Sequence, residues 1–199
     1  MNLTKKAFVF VLGLTLSLFV GSAMAKEYKG ANEKKFQINT NPIALLFGVY
    51  SIKLDTKVAK EWTVGLDAGY LNYSLSSNDS SLGHKARLKA FTIGANATYY
   101  FSGDTFTDSW ILTPGINYSS ASASLGNSKA DISAIALSAL GGYHWQWENG
   151  FNLELGAGLA YYIQGKSEFS LKDENDELKF ENRQSGIAPI LEFNIGYSF

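Results

Sequence analysis

Taken two residues at a time, the chain from Phe36 onward separates into an apolar list and a small or polar one, segment after segment. The apolar positions run Phe36, Ile38 and Thr40; Tyr50, Ile52, Leu54 and Val58; Trp62, Val64, Leu66, Ala68 and Tyr70; Phe91, Ile93, Ala95, Ala97, Tyr99 and Phe101. They continue through Trp110, Leu112, Pro114, Ile116 and Tyr118; Ile135, Leu137, Ala139, Tyr143, Trp145 and Trp147; Phe151, Leu153, Leu155, Ala157, Leu159, Tyr161 and Ile163. The last set is Ile187, Pro189, Leu191, Phe193, Ile195, Tyr197 and Phe199. Between them lie residues such as Thr63, Gly65, Asp67 and Gly69, or Thr92, Gly94, Asn96 and Thr98. A period of two is the signature of a β-strand with two unlike faces. The pattern predicts an all-β chain of eight strands.

The connections sort into two kinds. Ala59 to Glu61 and Glu148 to Gly150 are tight, and Ser102 to Ser109 is modest. Alternating with them are longer polar links, Ser76 to Ala86, Ser122 to Asp131 and Lys166 to Arg183. Large aromatics gather at the short-turn ends (Trp62, Tyr99, Phe101, Trp110, Trp145, Trp147, Phe151, Tyr197 and Phe199). A second group, Tyr70, Phe91, Tyr118 and Tyr161, falls towards the long links. A soluble β-sandwich must bring its apolar faces together, whereas a membrane barrel turns them all to lipid between two aromatic girdles. The alternation of connections and the girdles favour the barrel. Parity then requires Phe36 to Asn41 as the first strand, with Gln37, Asn39 and Asn41 on its polar face. It makes Pro42 to Gly48 the first surface link, an apolar stretch open to reading as a helical turn or a bulged strand.

The start of the chain has a different character. Lys5 and Lys6, the apolar stretch Ala7 to Val20 and Ala23-Met24-Ala25 read as a cleaved signal peptide over 1–25. Residues 26–35 read as a short periplasmic tail, and 36–199 as the barrel. Removing 1–25 leaves fifteen basic against eighteen acidic residues, a net charge of −3. No part of the remainder is apolar for long enough to span a bilayer as a helix, so spanning must be done by strands. The chain has no cysteine, which excludes disulfides and thiolate metal sites. Neither its charge nor any basic patch suits nucleic acid.

Eight strands enclose a lumen that side chains can fill, so the inward polar groups are the candidate site. If Ala59 to Glu61 is a three-residue loop, Lys57 meets Thr63, Asp55 meets Gly65 and Lys53 meets Asp67. A turn at Glu148-Asn149-Gly150 places Gln146 against Asn152 and His144 against Glu154. Lys53 with Asp67 and His144 with Glu154 are the predicted lumen charge pairs, with Glu192 inward on the closing strand. Lys85, Arg87 and Lys89 lie at the outer mouth, where they suit phosphate oxygens of lipopolysaccharide or serve as plain rim charges.

Catalytic and cofactor chemistry finds little support. There are two histidines, His84 in a predicted surface loop and His144 in the lumen. The residue two after His144 is Gln146, which does not supply the alternating His and Ser of lipid-modifying outer-membrane hydrolases. The acidic run Asp173-Glu174-Asn175-Asp176-Glu177 lacks the turn glycine and ligand spacing of a calcium loop. No catalytic residue, cofactor or metal is expected.

The alternating segment Leu191, Phe193, Ile195, Tyr197 and the final Phe199 resembles the C-terminal assembly signal of Gram-negative outer-membrane barrels. With the leader, the strands and the girdles, the chain resembles the small eight-stranded superfamily that includes OmpX, the OmpA membrane domain and OmpW. That resemblance implies an up-and-down barrel in the outer membrane, a monomer whose partners are outer-membrane lipid, lipopolysaccharide and the barrel-assembly machinery. It departs from the OmpA pattern in lacking a periplasmic domain, which argues against peptidoglycan binding. The favoured function is a non-enzymatic surface barrel with a side-chain-filled lumen. A narrow conduit for small or hydrophobic molecules is the alternative, and a lipid-modifying enzyme the third reading.

Overall fold

A computed structural model describes residues 34–76, 85–125, 128–165, 167–172, 177–182 and 185–199. The predicted signal peptide, residues 26–33 of the predicted tail, His84 and the acidic positions Asp173 to Asp176 lie outside the described residues. The strands are β1 (Phe36–Thr40), β2 (Val49–Lys57), β3 (Trp62–Ser76), β4 (Lys85–Tyr100), β5 (Ser109–Leu125), β6 (Ser128–Gln146), β7 (Phe151–Gln164), β8 (Ser167–Lys172), β9 (Glu177–Asn182) and β10 (Ser185–Ser198). A short helix α1 (Pro42–Leu46) joins β1 to β2.

β1 to β7 and β10 close into an eight-stranded antiparallel barrel, each strand paired with its two neighbours. The closure is staggered. Partners followed from Gln37 run through Asp55, Gly65, Asn96, Gly115, Ser138 and Ala160 to Ala188 on β10. Gln37 itself pairs with Ser198, ten residues further along β10. For eight strands that stagger corresponds to a tilt of about 40°.

The two faces follow the alternation. Leu66, Ile93, Leu159, Ile187 and Leu191 are exposed on the outside, with Leu191 at 84%. Gln37, Asn39, Thr63, Thr98, His144 and Asn152 are buried inside. At the short-turn end the outer aromatics touch in a row that includes Trp62–Tyr99, Tyr99–Phe101, Trp110–Tyr143, Tyr143–Trp145, Trp147–Phe151 and Phe36–Phe199. Phe91 and Tyr118 pair at the other end. Phe91 and Phe101 are ten residues apart, as are Phe151 and Tyr161. At ~3.3 Å per residue and a tilt of about 40°, the band between the two aromatic rows is roughly 25 Å tall.

Three links differ from the sequence reading or complete it. Pro42 to Leu46 is helical, with Pro42 at its start and the Asn41 side chain accepting the Ala44 N–H at 2.9 Å, a capped turn that accommodates apolar residues. The strands β5 and β6 run on through most of Ser122 to Asp131, because ladder pairing continues where small residues give no apolar face. The predicted link from Lys166 to Arg183 contains the hairpin β8–β9, whose β8 pairs with Lys129 to Asp131 of β6. At the short-turn end, Lys35 and Phe36 both donate their N–H groups to the Phe199 carbonyl at 2.9 Å.

Candidate functional site

The barrel interior divides into a packed half and an open half, and a charged layer lies between them. In that layer the Lys53 ammonium is 3.1 Å from Glu154, 3.6 Å from Glu192 and 3.9 Å from Asp55. The predicted register is present, with Lys53 across from Asp67 and His144 across from Glu154. The ion pairing follows a different path. Lys53 turns across the lumen to Glu154 rather than to Asp67, because a long flexible stem reaches a stronger cluster of carboxylates than its cross-strand neighbour offers. Asp67 interacts with the Asn96 side chain instead.

Hydrogen bonds join the layer into a network. The Gln37 amide donates to Glu154 at 2.8 Å, and Asn194 donates to Glu154 at 3.5 Å and to Glu192. The His144 ring places Nδ1 3.0 Å from the Thr107 carbonyl and Nε2 3.2 Å from the Gln37 side-chain oxygen. Both partner atoms are acceptors, and a neutral ring donates to one of them at a time. Glu154 lies 4.0 Å from the same ring. Ser198 ties the closing strand in by donating towards Gln37 and Gln146.

Below this layer, at the short-turn end, the lumen is plugged. The link from Phe101 to Asp108 folds back under the barrel and inserts Phe106, which is fully buried beside Tyr100 and Ile111. Tyr100 meets Phe106 and His144 edge-on, at ring separations of 6.2 and 5.5 Å. Phe106 has φ of 56°, a left-handed conformation that costs a bulky residue energy and is held here by its surroundings. Lys57 pairs with Asp104 at 2.9 Å, the Gln146 N–H donates to Asp108 at 2.7 Å, and the Thr105 N–H donates to the Lys60 carbonyl at 2.8 Å. The plug escapes a reading by alternation. Its signals are Tyr100, an aromatic on the inward parity, and Phe106, a lone aromatic in the polar run Ser102 to Ser109.

Above the layer the lumen holds a cavity of about 350 Å³ that extends towards the long links, where Asn41, Val49 and Ser119 line it. Gly69 and Gly115 are among its lining residues. Nearer the barrel seam Gly196 admits a close approach, since any β-carbon there would collide with the Asn39 side chain and the Ile38 carbonyl.

Arg87 and Lys89 share the outward parity of Phe91 on β4, beyond the upper aromatic row, and are exposed; Lys85 is the first residue of that strand. Leu191, Tyr197 and Phe199 are exposed to the surroundings of the barrel, and Phe193 and Ile195 are half-buried in the same face.

The protein family described as "Protein of unknown function (DUF3575)" matches residues 9–199. No curated protein matches the chain. Among solved structures, the translocator domain of autotransporter NalP from Neisseria meningitidis aligns at 15% identity, over 98% of this chain and 68% of that one, with a TM-score of 0.35. The barrel rests on its own closed strand pairing, independently of that alignment.

Proposed function

We propose that this chain, which belongs to the protein family of unknown function DUF3575, is a non-enzymatic outer-membrane barrel, sealed at one end, that serves as a structural and surface-interaction protein. The location is supported by the exterior. An apolar band roughly 25 Å tall between aromatic rows is the height and composition that a bilayer requires of a barrel wall. No aqueous setting accounts for Leu191 at 84% exposure among so many like it. With the short turns on the periplasmic side, Arg87 and Lys89 stand at the level of outer-leaflet headgroups, suited to lipopolysaccharide phosphates.

One observation carries the choice of a sealed scaffold over a conduit: Phe106 and Tyr100 fill the lumen beneath the Lys53–Glu154–Glu192 layer. A solute crossing the barrel would have to break buried ion pairs and displace a packed aromatic. The non-enzymatic reading is supported by His144, whose ring nitrogens are engaged by Thr107 and Gln37 rather than by a hydroxyl nucleophile.

Two measurements test the proposal together. The protein should fractionate with the outer membrane and migrate faster on gels unheated than boiled, and it should give no stepwise conductance in planar bilayers. Recovery in the soluble periplasm would refute the location, and steady single-channel currents from the unaltered protein would refute the seal.

A further inference from the structure

The upper cavity has the features of a ligand site, and its chemistry is one-sided. We propose that it binds a small organic cation, a primary amine carrying a compact apolar body. This rests on the reading of the lumen as a blind cup.

Charge is the first argument. The lumen holds the carboxylates Asp55, Asp67, Glu154 and Glu192 against the ammonium of Lys53 and the ring of His144. Among the described residues of this layer and cavity, carboxylate groups outnumber the basic groups four to two. Glu154 and Asp55 are turned towards Lys53 in the buried layer, whereas Asp67, Glu192 and Lys53 line the cavity itself, two carboxylates against one ammonium. A cation entering from the long-link side meets those two carboxylates at its floor.

The walls supply the second argument. Asn39 lines the cavity and is 1% exposed, yet neither its amide oxygen nor its amide nitrogen has a hydrogen-bond partner among the described residues. Its amide oxygen packs over Gly196, so the polar lining open to a ligand on this side comes from Asn41, Ser51 and Asp67. Ala136, Leu140, Ala160 and Ile190, from β6, β7 and β10, give an apolar wall. At about 350 Å³ the cavity is at the lower end of the ~300–1,000 Å³ usual for small-molecule sites. One charged end and one greasy flank are what this lining recognises.

The test titrates the refolded full-length barrel in nanodiscs with benzylamine, benzyl alcohol and benzoate, following side-chain amide resonances by NMR. Saturable benzylamine binding is expected, with weaker binding of the alcohol and none of benzoate. Asp67→Asn should weaken benzylamine by roughly fivefold, as expected for a partly exposed charge contact. Ala136→Leu, which fills the apolar flank and leaves the charges in place, should weaken amine and alcohol alike. Asp67 stands outside the salt-bridge layer, so its variant remains informative should Glu192→Gln fail to fold. Equal affinities for amine and alcohol, no saturable binding, or an unchanged affinity in Asp67→Asn would overturn the proposal. Bilayer recordings on the same preparation separate the two readings. Currents alongside selective amine binding refute the blind end and uphold the amine site, whereas silent bilayers without amine binding refute the site alone.

Discussion

Replacing Lys53 by Met removes the one ammonium that three carboxylates share. Its side chain is 9% exposed, with Glu154 at 3.1 Å, Glu192 at 3.6 Å and Asp55 at 3.9 Å. Methionine nearly matches the aliphatic volume, so the loss is electrostatic rather than a cavity. Breaking a buried pair by deleting one partner costs about 3–5 kcal/mol, because the remaining charge is stranded. Glu192 is 27% exposed and can be rehydrated, which places the expected loss towards the lower end, about 3 kcal/mol. The assay is urea unfolding of the barrel in lipid vesicles, read by tryptophan fluorescence, with the single and double variants of Lys53→Met and Glu154→Gln. The double variant should be more stable than the sum of the singles implies, since neutralising Glu154 removes the worst stranded charge. Asp67→Asn, outside the cluster, should cost less than about 1 kcal/mol. A Lys53→Met loss below about 1 kcal/mol, or strict additivity with Glu154→Gln, would refute the argument that this layer holds the barrel together.

Three further outcomes follow from the packing. Phe106→Ala should cost about 3–5 kcal/mol, the usual range for a buried phenylalanine, and should introduce current flickers in bilayers; an intact baseline would show that the plug does not depend on this ring. Gly196→Ala should lower the unfolding midpoint sharply, because the added carbon meets the Asn39 side chain and the Ile38 carbonyl, whereas Gly141→Ala has open space and should be neutral. Equal midpoints would contradict the close approach. Deleting Phe199 removes its backbone bonds to Lys35 and Phe36 and its ring contact with Phe36, and should reduce outer-membrane yield more than removing residues 172–178. Matching yields would argue against a role in assembly.

The outside of the barrel was legible in the sequence because outward-facing positions obey one rule, and Leu66, Ile93 and Leu191 follow it. Register was legible too, since a tight turn fixes every pair beyond it, as Lys57 with Thr63 and Gln146 with Asn152 illustrate. The interior was legible only as a set of inward residues. Which partner Lys53 chooses depends on where its stem can reach across the lumen, and alternation carries no information about that distance. Phe106 was hidden for a related reason. It belongs to a turn, where no period exists, and its burial comes from the chain folding back under strands remote in sequence. The strand continuation over Ser122 to Leu125 and Ser128 to Asp131 was missed because small polar residues pair as readily as they form loops.

The junction between β1 and β10 also sets the order in which the molecule can be assembled. β1 has five residues, against fifteen in β3 and sixteen in β4. The bond from Ser198 to Gln37 joins positions 161 residues apart. In a disordered chain, bringing such distant ends together costs about 4–5 kcal/mol, while a hairpin at Ala59 to Glu61 costs about 1 kcal/mol. The neighbouring hairpins therefore gain their bonds at low entropic expense, and the short junction gains few bonds at high expense. Such contacts slow folding, and they become favourable only after the strands between them have curled the ends into reach. The chain is thus expected to close like a zipper that runs through its hairpins and latches at Phe199, with the final latch slower than strand formation.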